Sequence, residues 1–460
     1  MSPTQDTKAE AQRQRMLTLP ISRIVTSLAV PAMMHQLINV LYNLVDTFFV
    51  SQISTEASAA LGVVFSLVSL LNAIMFGISM GAKAIISRRL GAGDLEAAHI
   101  AASTAMAMEV VFGLAATILG LLFLRPILRF FGADADVMPH AMAYSRILLL
   151  GVTVHCADSA LSCVLTAQGK TLYTMMGFGI ANLCNVFLDW LFVFPLGMGA
   201  AGAALATVIA QVISFTILLS AILSGKSAAR FHPKYVARDL ATYCNILHNG
   251  IPTVFRQGTA SVATTFLNRL AMPYGAAAVA AISIANKIYL MCRNLVLGFG
   301  QGFQPVAGYN YGAGVRSRVK KAFWFTCAVG TGICLAGTSV LASMPETLIS
   351  LFRKDADVVE LGARMLRYYA MILPFLAYST FVNQMYQCLG FSLWATVLAC
   401  CRQGIFFLPL LYLLHGLLGK TGLILAQPSA DLMTFFASIP FQLWFFRKVL
   451  KKDDPLPQQA

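Results

Sequence analysis

Twelve predominantly apolar stretches divide the chain, at 24–51, 59–82, 99–124, 138–166, 171–195, 200–224, 246–271, 277–303, 321–344, 359–388, 391–415 and 421–446. About 20 helical residues at about 1.5 Å each cross a hydrocarbon core of about 30 Å, so each stretch predicts a transmembrane helix. The residues that interrupt the apolar pattern recur with a displacement of 221 positions: Pro31 as Pro252, Gln36 as Gln257, Gly77 and Gly81 as Gly298 and Gly302, and Gly91, Ala92, Gly93 as Gly312, Ala313, Gly314. Asp134 to Val137 return as Asp355 to Val358, Arg146 as Arg367 and Gly169 as Gly390, while Gly199 and Gly202 return as Gly419 and Gly422 after the loss of one loop residue. Chance identity between greasy segments would match Leu and Ala, whereas these are residues with positional meaning. The prediction is an all-α membrane protein of twelve transmembrane helices, in two six-helix bundles. An even number of crossings per repeat gives both the same orientation, related by a pseudo-two-fold axis along the membrane normal. The corresponding divisions are a cytoplasmic tail at 1–23, a bundle at 24–224, a cytoplasmic linker at 225–244, a bundle at 245–447 and a second tail at 448–460.

Composition agrees with the pattern: 58% of the 460 residues are hydrophobic and 11% charged, with a mean hydropathy of +0.72, far from a soluble domain. The net charge of +14 does not point to nucleic acid, because the basic residues fall in alternate loops: Arg13 and Arg15, Lys83 to Arg89, Lys170, Lys226 to Arg238, Arg316 to Lys321 and Arg447 to Lys452. The opposite loops offer only Arg125, Arg129, Arg353, Lys354 and Lys420. This positive-inside bias places both termini in the cytoplasm, and for a bacterial chain the membrane is the inner one. The first twenty residues are too polar for a cleavable signal, so the first span is the insertion signal. Most of the ten cysteines lie inside spans and none forms a CxxC pair, so neither a metal site, a disulfide framework nor a cofactor is expected. The LGAGD and YGAG segments lack the strand and GK[ST] of a phosphate loop and read as turns.

Five acids sit inside spans: Asp46, Glu109, Asp158, Asp189 and Asp431. Each costs about 2.5–3.5 kcal/mol at a helix centre unless it finds a partner, water or a proton. Asn185 lies four residues before Asp189, on the same helix face, and Thr207 offers a hydroxyl. A carboxylate with such neighbours either loads and releases a proton or helps to cage Na+. Glu109, Asp158 and Asp431 are weighed against structural pairing with Arg146, Arg402 or backbone. The cations within spans are His35, His155, Arg256, Arg269, Lys287, Arg293 and Arg402; those near span ends are expected to snorkel, Arg293 to form a structural ion pair, and His35 and His155 to pack as satisfied histidines, with titration near neutrality as the alternative. Gln36, Asn39, Asn43 and Asp46 draw one polar face on the first span, answered on the seventh by Gln257, Thr264 and Asn268, which predicts a substrate cavity lined from both halves. Pro31 and Pro252 weaken the ladder of each opening helix.

Several runs together resemble the multidrug and toxic compound extrusion (MATE) transporters: VDTFFV around Asp46, the NxxxD of Asn185 and Asp189, GAAGAALAT ending at Thr207, FQPVAGYNYGA at Phe303 to Ala313 and RQGIFFLPLLYLL at Arg402 to Leu414. FQPVAGYNYGA looks like the DinF-type bacterial and archaeal branch. The resemblance covers nearly the whole chain. It implies two bundles enclosing a cleft, no enzymatic activity, and export of cationic or amphipathic small molecules by a monomer in the lipid bilayer, in exchange for H+ or Na+. Carried over, the coupling site is Asp46, Asn185, Asp189 and Thr207, the bending point is Pro31, and the cleft is lined by Gln36, Asn39, Phe178, Asn182 and Gln211. The chain departs from some members in having no acid inside spans seven and ten, and in carrying Cys163 where relatives have Asn. The preferred expectation is proton-coupled drug export. A lipid-linked oligosaccharide flippase would call for a cationic cleft, which the Gln, Asn and Asp face of the first span does not offer, His35 excepted. A Na+-coupled exporter of an endogenous metabolite is the other alternative. SRRLGAGD is not the GxxxDRxGRR run of major facilitator transporters.

Overall fold

The computed structural model describes residues 3–51, 55–229 and 231–451, with the side chains of 3–6, 43, 44, 46–51, 55–59 and 226 excepted. The first half forms α1 (Pro3–Thr18), α2 (Ile21–Ser51), α3 (Thr55–Ala92), α4 (Leu95–Leu122), α5 (Leu124–Phe130), α6 (Met138–Ala167), α7 (Thr171–Val193) and α8 (Gly199–Ala221). The second forms α9 (Leu240–Ala271), α10 (Ala276–Gly312), α11 (Arg316–Ser343), α12 (Pro345–Ser350), α13 (Ala356–Leu389), α14 (Ser392–Cys400), α15 (Phe407–Leu418) and α16 (Lys420–Lys448). No strand occurs among the described residues. A π-helical turn at Cys401–Ile405 joins α14 to α15 within one span. Among the described residues, eleven spans are long and apolar enough to cross a membrane. The twelfth, α9, has the length but is diluted by Arg256, Gln257, Thr264, Thr265, Asn268 and Arg269. The amino-terminal tail is itself helical, held where Arg13 Nε donates to the Gly91 carbonyl (2.9 Å) and Gln12 to that of Gln168 (2.8 Å).

The glycines of the repeat share a backbone conformation as well as a position. Gly93 and Gly314 have φ of 82° and 79°, Gly169 and Gly390 72° and 91°, and Gly199 and Gly419 58° and 56°. A β-carbon is strained there, so each pair marks the same left-handed turn in both halves. Asp94 follows the first of these turns and caps α4, its carboxylate accepting from the Ala97 N–H at 3.0 Å.

The chain forms two compact units, Met1–Leu17 with Met34–Gly250, and Thr18–Met33 with Ile251–Ala460. In the first, α6 packs on α3, α4 and α8; in the second, α13 packs on α10, α11 and α16. These two repeat-related helices are central, with 56% of the most apolar window of each buried, a value that α16 shares, against 22% for α4. Helix α2 passes from the second unit to the first two residues after Pro31, and α9 from the first to the second just before Pro252. Glycine makes both arrangements tight. A β-carbon on Gly81 would lie 2.0 Å from the Ile246 carbonyl oxygen, and one on Gly302 2.4 Å from the Ala29 Cα. The small-residue spacing thus serves close helix approach.

Candidate coupling site and a cationic cavity

In the first unit, Asn185 and Asp189 stand one turn apart on α7, both fully buried. With its amide nitrogen facing the carboxylate, Asn185 donates to Asp189 Oδ2 at 2.9 Å while its oxygen accepts from the Thr207 N–H at 3.2 Å. The GAAGAALA run permits this approach, since Gly202, Ala203, Ala204 and Ala206 on α8 are all buried. The Thr207 hydroxyl donates to the Ala203 carbonyl at 3.1 Å, so the Tyr42 phenol, 3.2 Å away, is the donor to Thr207 Oγ1. Three of the four expected coupling residues therefore meet. The side chains of Asp46 and Asn43 lie outside those described. Tyr42 was not anticipated, although its place one turn before Asp46 was the available signal.

The expected substrate face is assembled in part. Gln36 and Asn39 on α2 and Phe178 and Asn182 on α7 are half-buried. The His35 and Phe178 rings approach to 4.2 Å between centroids, tilted by 54°. Gln211 on α8 reaches α6, where a β-carbon on Gly151 would meet its Oε1 at 3.3 Å. Gln257, Thr264 and Asn268 belong to the second unit, and the exposed Thr264 hydroxyl donates back to its own helix at Ala260 (2.9 Å).

Two more buried acids of the first unit have hydroxyl partners instead of Arg146, which is exposed. The Ser79 hydroxyl donates to Glu109 Oε1 at 2.9 Å and accepts from that of Ser159 at 2.8 Å. The Cys163 thiol donates to the Ser79 carbonyl at 2.8 Å, tying α6 to α3. Ser214 lies 3.0 and 3.1 Å from the two oxygens of Asp158. Among the described residues, buried His35 Nε2 and His155 Nδ1 have no hydrogen-bond partner, so these histidines pack with one ring nitrogen unpaired and are not the fully satisfied pair expected.

The second unit has the opposite character. Arg256 on α9, Arg293 on α10 and Arg402 on the π-helical turn line one partly open cavity with Asn383, Gln384 and Gln403. The one acid nearby is committed to Arg402. Asp431 Oδ1 accepts from Arg402 Nε at 2.6 Å and from Gln427 at 2.9 Å, and Oδ2 accepts from Arg402 Nη2 at 3.4 Å and from the Tyr289 hydroxyl. Tyr289 in turn accepts from Arg402 Nη2 at 3.2 Å and stacks on Tyr369, centroids 4.4 Å apart. The Asp431 pairing with Arg402 weighed from the sequence is present. The ion pair expected for Arg293 is not: among the described residues it forms no salt bridge, and its Nε has no hydrogen-bond partner. Arg256 faces the same cavity. An uncompensated guanidinium at a helix centre costs about 2.5–3.5 kcal/mol on insertion scales, so two in one cavity are a large commitment.

A family model described as MatE matches residues 31–191 and 252–413, one match per repeat. The chain is 23% identical to a FAD transporter of Shewanella oneidensis over 433 residues, 92% of this chain and 94% of that protein. It is 24% identical to the multidrug export protein MepA of Staphylococcus haemolyticus over 439 residues, 94% and 95% of the two chains. A solved outward-facing structure of a multidrug resistance MATE family transporter of the MOP superfamily superposes with a TM-score of 0.91 at 22% identity, covering 95% of this chain and 98% of that one.

Proposed function

Because the chain belongs to the MatE family, and so is a multi-pass membrane transporter and not an enzyme, we propose that it exports small amphipathic or cationic compounds by alternating access in exchange for protons. It does so as a monomer in the inner membrane, with both termini in the cytoplasm. The observation that carries the coupling is the full burial of Asp189 beside Asn185, whose amide donates to the carboxylate while its oxygen accepts from the Thr207 N–H. An ionised carboxylate in this setting costs about 2.5–3.5 kcal/mol, which a proton removes. Taking up a proton from the acidic side and releasing it to the cytoplasm makes protonation and substrate occupancy alternate, with Asp46 on the neighbouring helix as the second carboxylate and Pro31 as the bending point. One charge crossing about 100 mV supplies about 2.3 kcal/mol. At about 1.4 kcal/mol per decade that sustains a roughly fifty-fold substrate gradient.

The test is ethidium efflux in everted vesicles under separately imposed pH and Na+ gradients. Wild type responds to the pH gradient, and Asp189→Asn and Asn185→Leu lose that response. A response to Na+ alone replaces the proton by Na+, and full pH-driven efflux by Asp189→Asn refutes the assignment.

A further inference from the structure

We propose that the arginine-lined cavity of the second unit is a binding site for dianionic, phosphoryl-bearing amphipathic molecules. Three guanidinium groups against one carboxylate leave the cavity two positive charges in excess, the charge of a phosphate monoester. The carboxylate does not fill the cavity. Both Asp431 oxygens are taken by Arg402, Gln427 and Tyr289, and these fix the Arg402 guanidinium through Nε and Nη2. Its Nη1 is left out of that network, and Arg256 and Arg293 make no ion pair among the described residues. Planar guanidinium forks match phosphoryl oxygens, and a fork held by its own carboxylate loses little freedom on binding. Two amides line the wall: Asn383 Nδ2 donates to the Ala395 carbonyl at 2.7 Å and Gln384 Nε2 to that of Leu297 at 3.4 Å, which leaves each nitrogen one further N–H for a ligand. Leu297, Leu398 and Ala260 form the apolar remainder of the wall, which suits a molecule with a greasy or aromatic body. The inference rests on the transport reading only for its purpose, since the substrate class it adds is the opposite of a cation. Binding itself is independent of what drives transport.

The experiment is calorimetric titration of the purified full-length protein in phosphatidylcholine nanodiscs, which needs no gradient and so succeeds or fails separately from ethidium efflux. Naphthyl phosphate is the probe, with naphthol and naphthylmethylammonium as neutral and cationic counterparts. Wild type binds naphthyl phosphate and neither counterpart. Arg293→Gln and Arg256→Gln each weaken binding about tenfold or more, the scale of one charge-assisted pair. Arg293→Lys retains part of it. Because each Gln variant relieves repulsion between like charges, folding is preserved, and gel filtration of the same samples checks this. Nanodiscs doped with phosphatidic acid separate the two sources of the chemistry. Competition with the probe identifies a lipid headgroup, and unchanged probe affinity identifies a soluble organophosphate. No binding to wild type, equal binding of the three naphthyl compounds, or wild-type affinity in both Gln variants overturns the proposal.

Discussion

Removing the carboxylate behind the cationic cavity isolates what holds it together. Asp431→Asn keeps the size of the side chain but turns one acceptor into an amide donor that faces the Tyr289 hydroxyl and Arg402 Nη2. It also removes the charge that neutralises Arg402, whose side chain is 16% exposed while that of Asp431 is 2% exposed. Breaking a buried ion pair from one side destabilises by about 3–5 kcal/mol, because the remaining charge stays buried. Since Arg402 borders an open cavity, water recovers part of that, leaving about 2–3 kcal/mol. The expected result is a fall of several degrees in the melting temperature followed by fluorescence-detected gel filtration. Replacing both partners by apolar groups of similar volume is expected to be nearly neutral. Arg402→Met with Asp431→Leu therefore melts close to wild type, with a coupling in the cycle of about 2 kcal/mol. If Asp431→Asn melts within a degree of wild type, or the double variant is no more stable than Asp431→Asn, the pair does not carry this energy and the reasoning is wrong.

Gly302→Ala and Gly81→Ala place a β-carbon on backbone, whereas Gly258 on α9 has nothing within 4 Å. The first two should lower the melting temperature and Gly258→Ala should raise it slightly, by the roughly 0.5–1 kcal/mol of helix propensity, and equal shifts at all three would contradict the close approach. Cys244 alone of the ten cysteines is exposed. A membrane-impermeant maleimide should label it in everted vesicles and not in right-side-out ones, and the reverse pattern would invert the proposed topology. The Thr242 N–H and hydroxyl both donate to Asp239 Oδ2 at 2.8 Å and hold its carboxyl below the usual carboxylate range. A depressed value stabilises the fold above the ordinary carboxylate pKa and ceases to do so as pH falls through the lowered one. The stability difference between wild type and Asp239→Ala should thus be constant through neutrality and disappear below about pH 4, and a difference that persisted into strong acid would rule this out.

The helical architecture is legible in the sequence because a membrane leaves few options: backbone groups in hydrocarbon must bond within their own helix. The Asn185 to Asp189 spacing is legible for the same reason, since four residues on a helix is a fixed geometry. What the sequence hid depends on distant elements. Tyr42 meets Thr207 across 165 positions, and Tyr289 joins the Arg402 and Asp431 pair from 113 positions before Arg402. The arginine cavity did leave one trace. Displaced by 221, Arg293 corresponds to Asn72 and Arg402 to Ala181, and by 220, Asp431 to Gln211; Arg256 corresponds to His35. The repeat fails at Asp189, which becomes Leu410, and at Asp46, which becomes Leu267, and it fails equally in the other direction. Buried acids held by hydroxyls, Glu109 and Asp158, lie in the first half, and the three arginines that share one acid lie in the second.

Helix α2 contributes its opening, Thr18–Met33, to the second unit, while Leu240–Gly250 of α9 completes the first. The first hydrophobic turns to leave the ribosome thus wait for most of the chain before their packing partners on α10 exist, and a chain halted before α9 leaves both units unfinished.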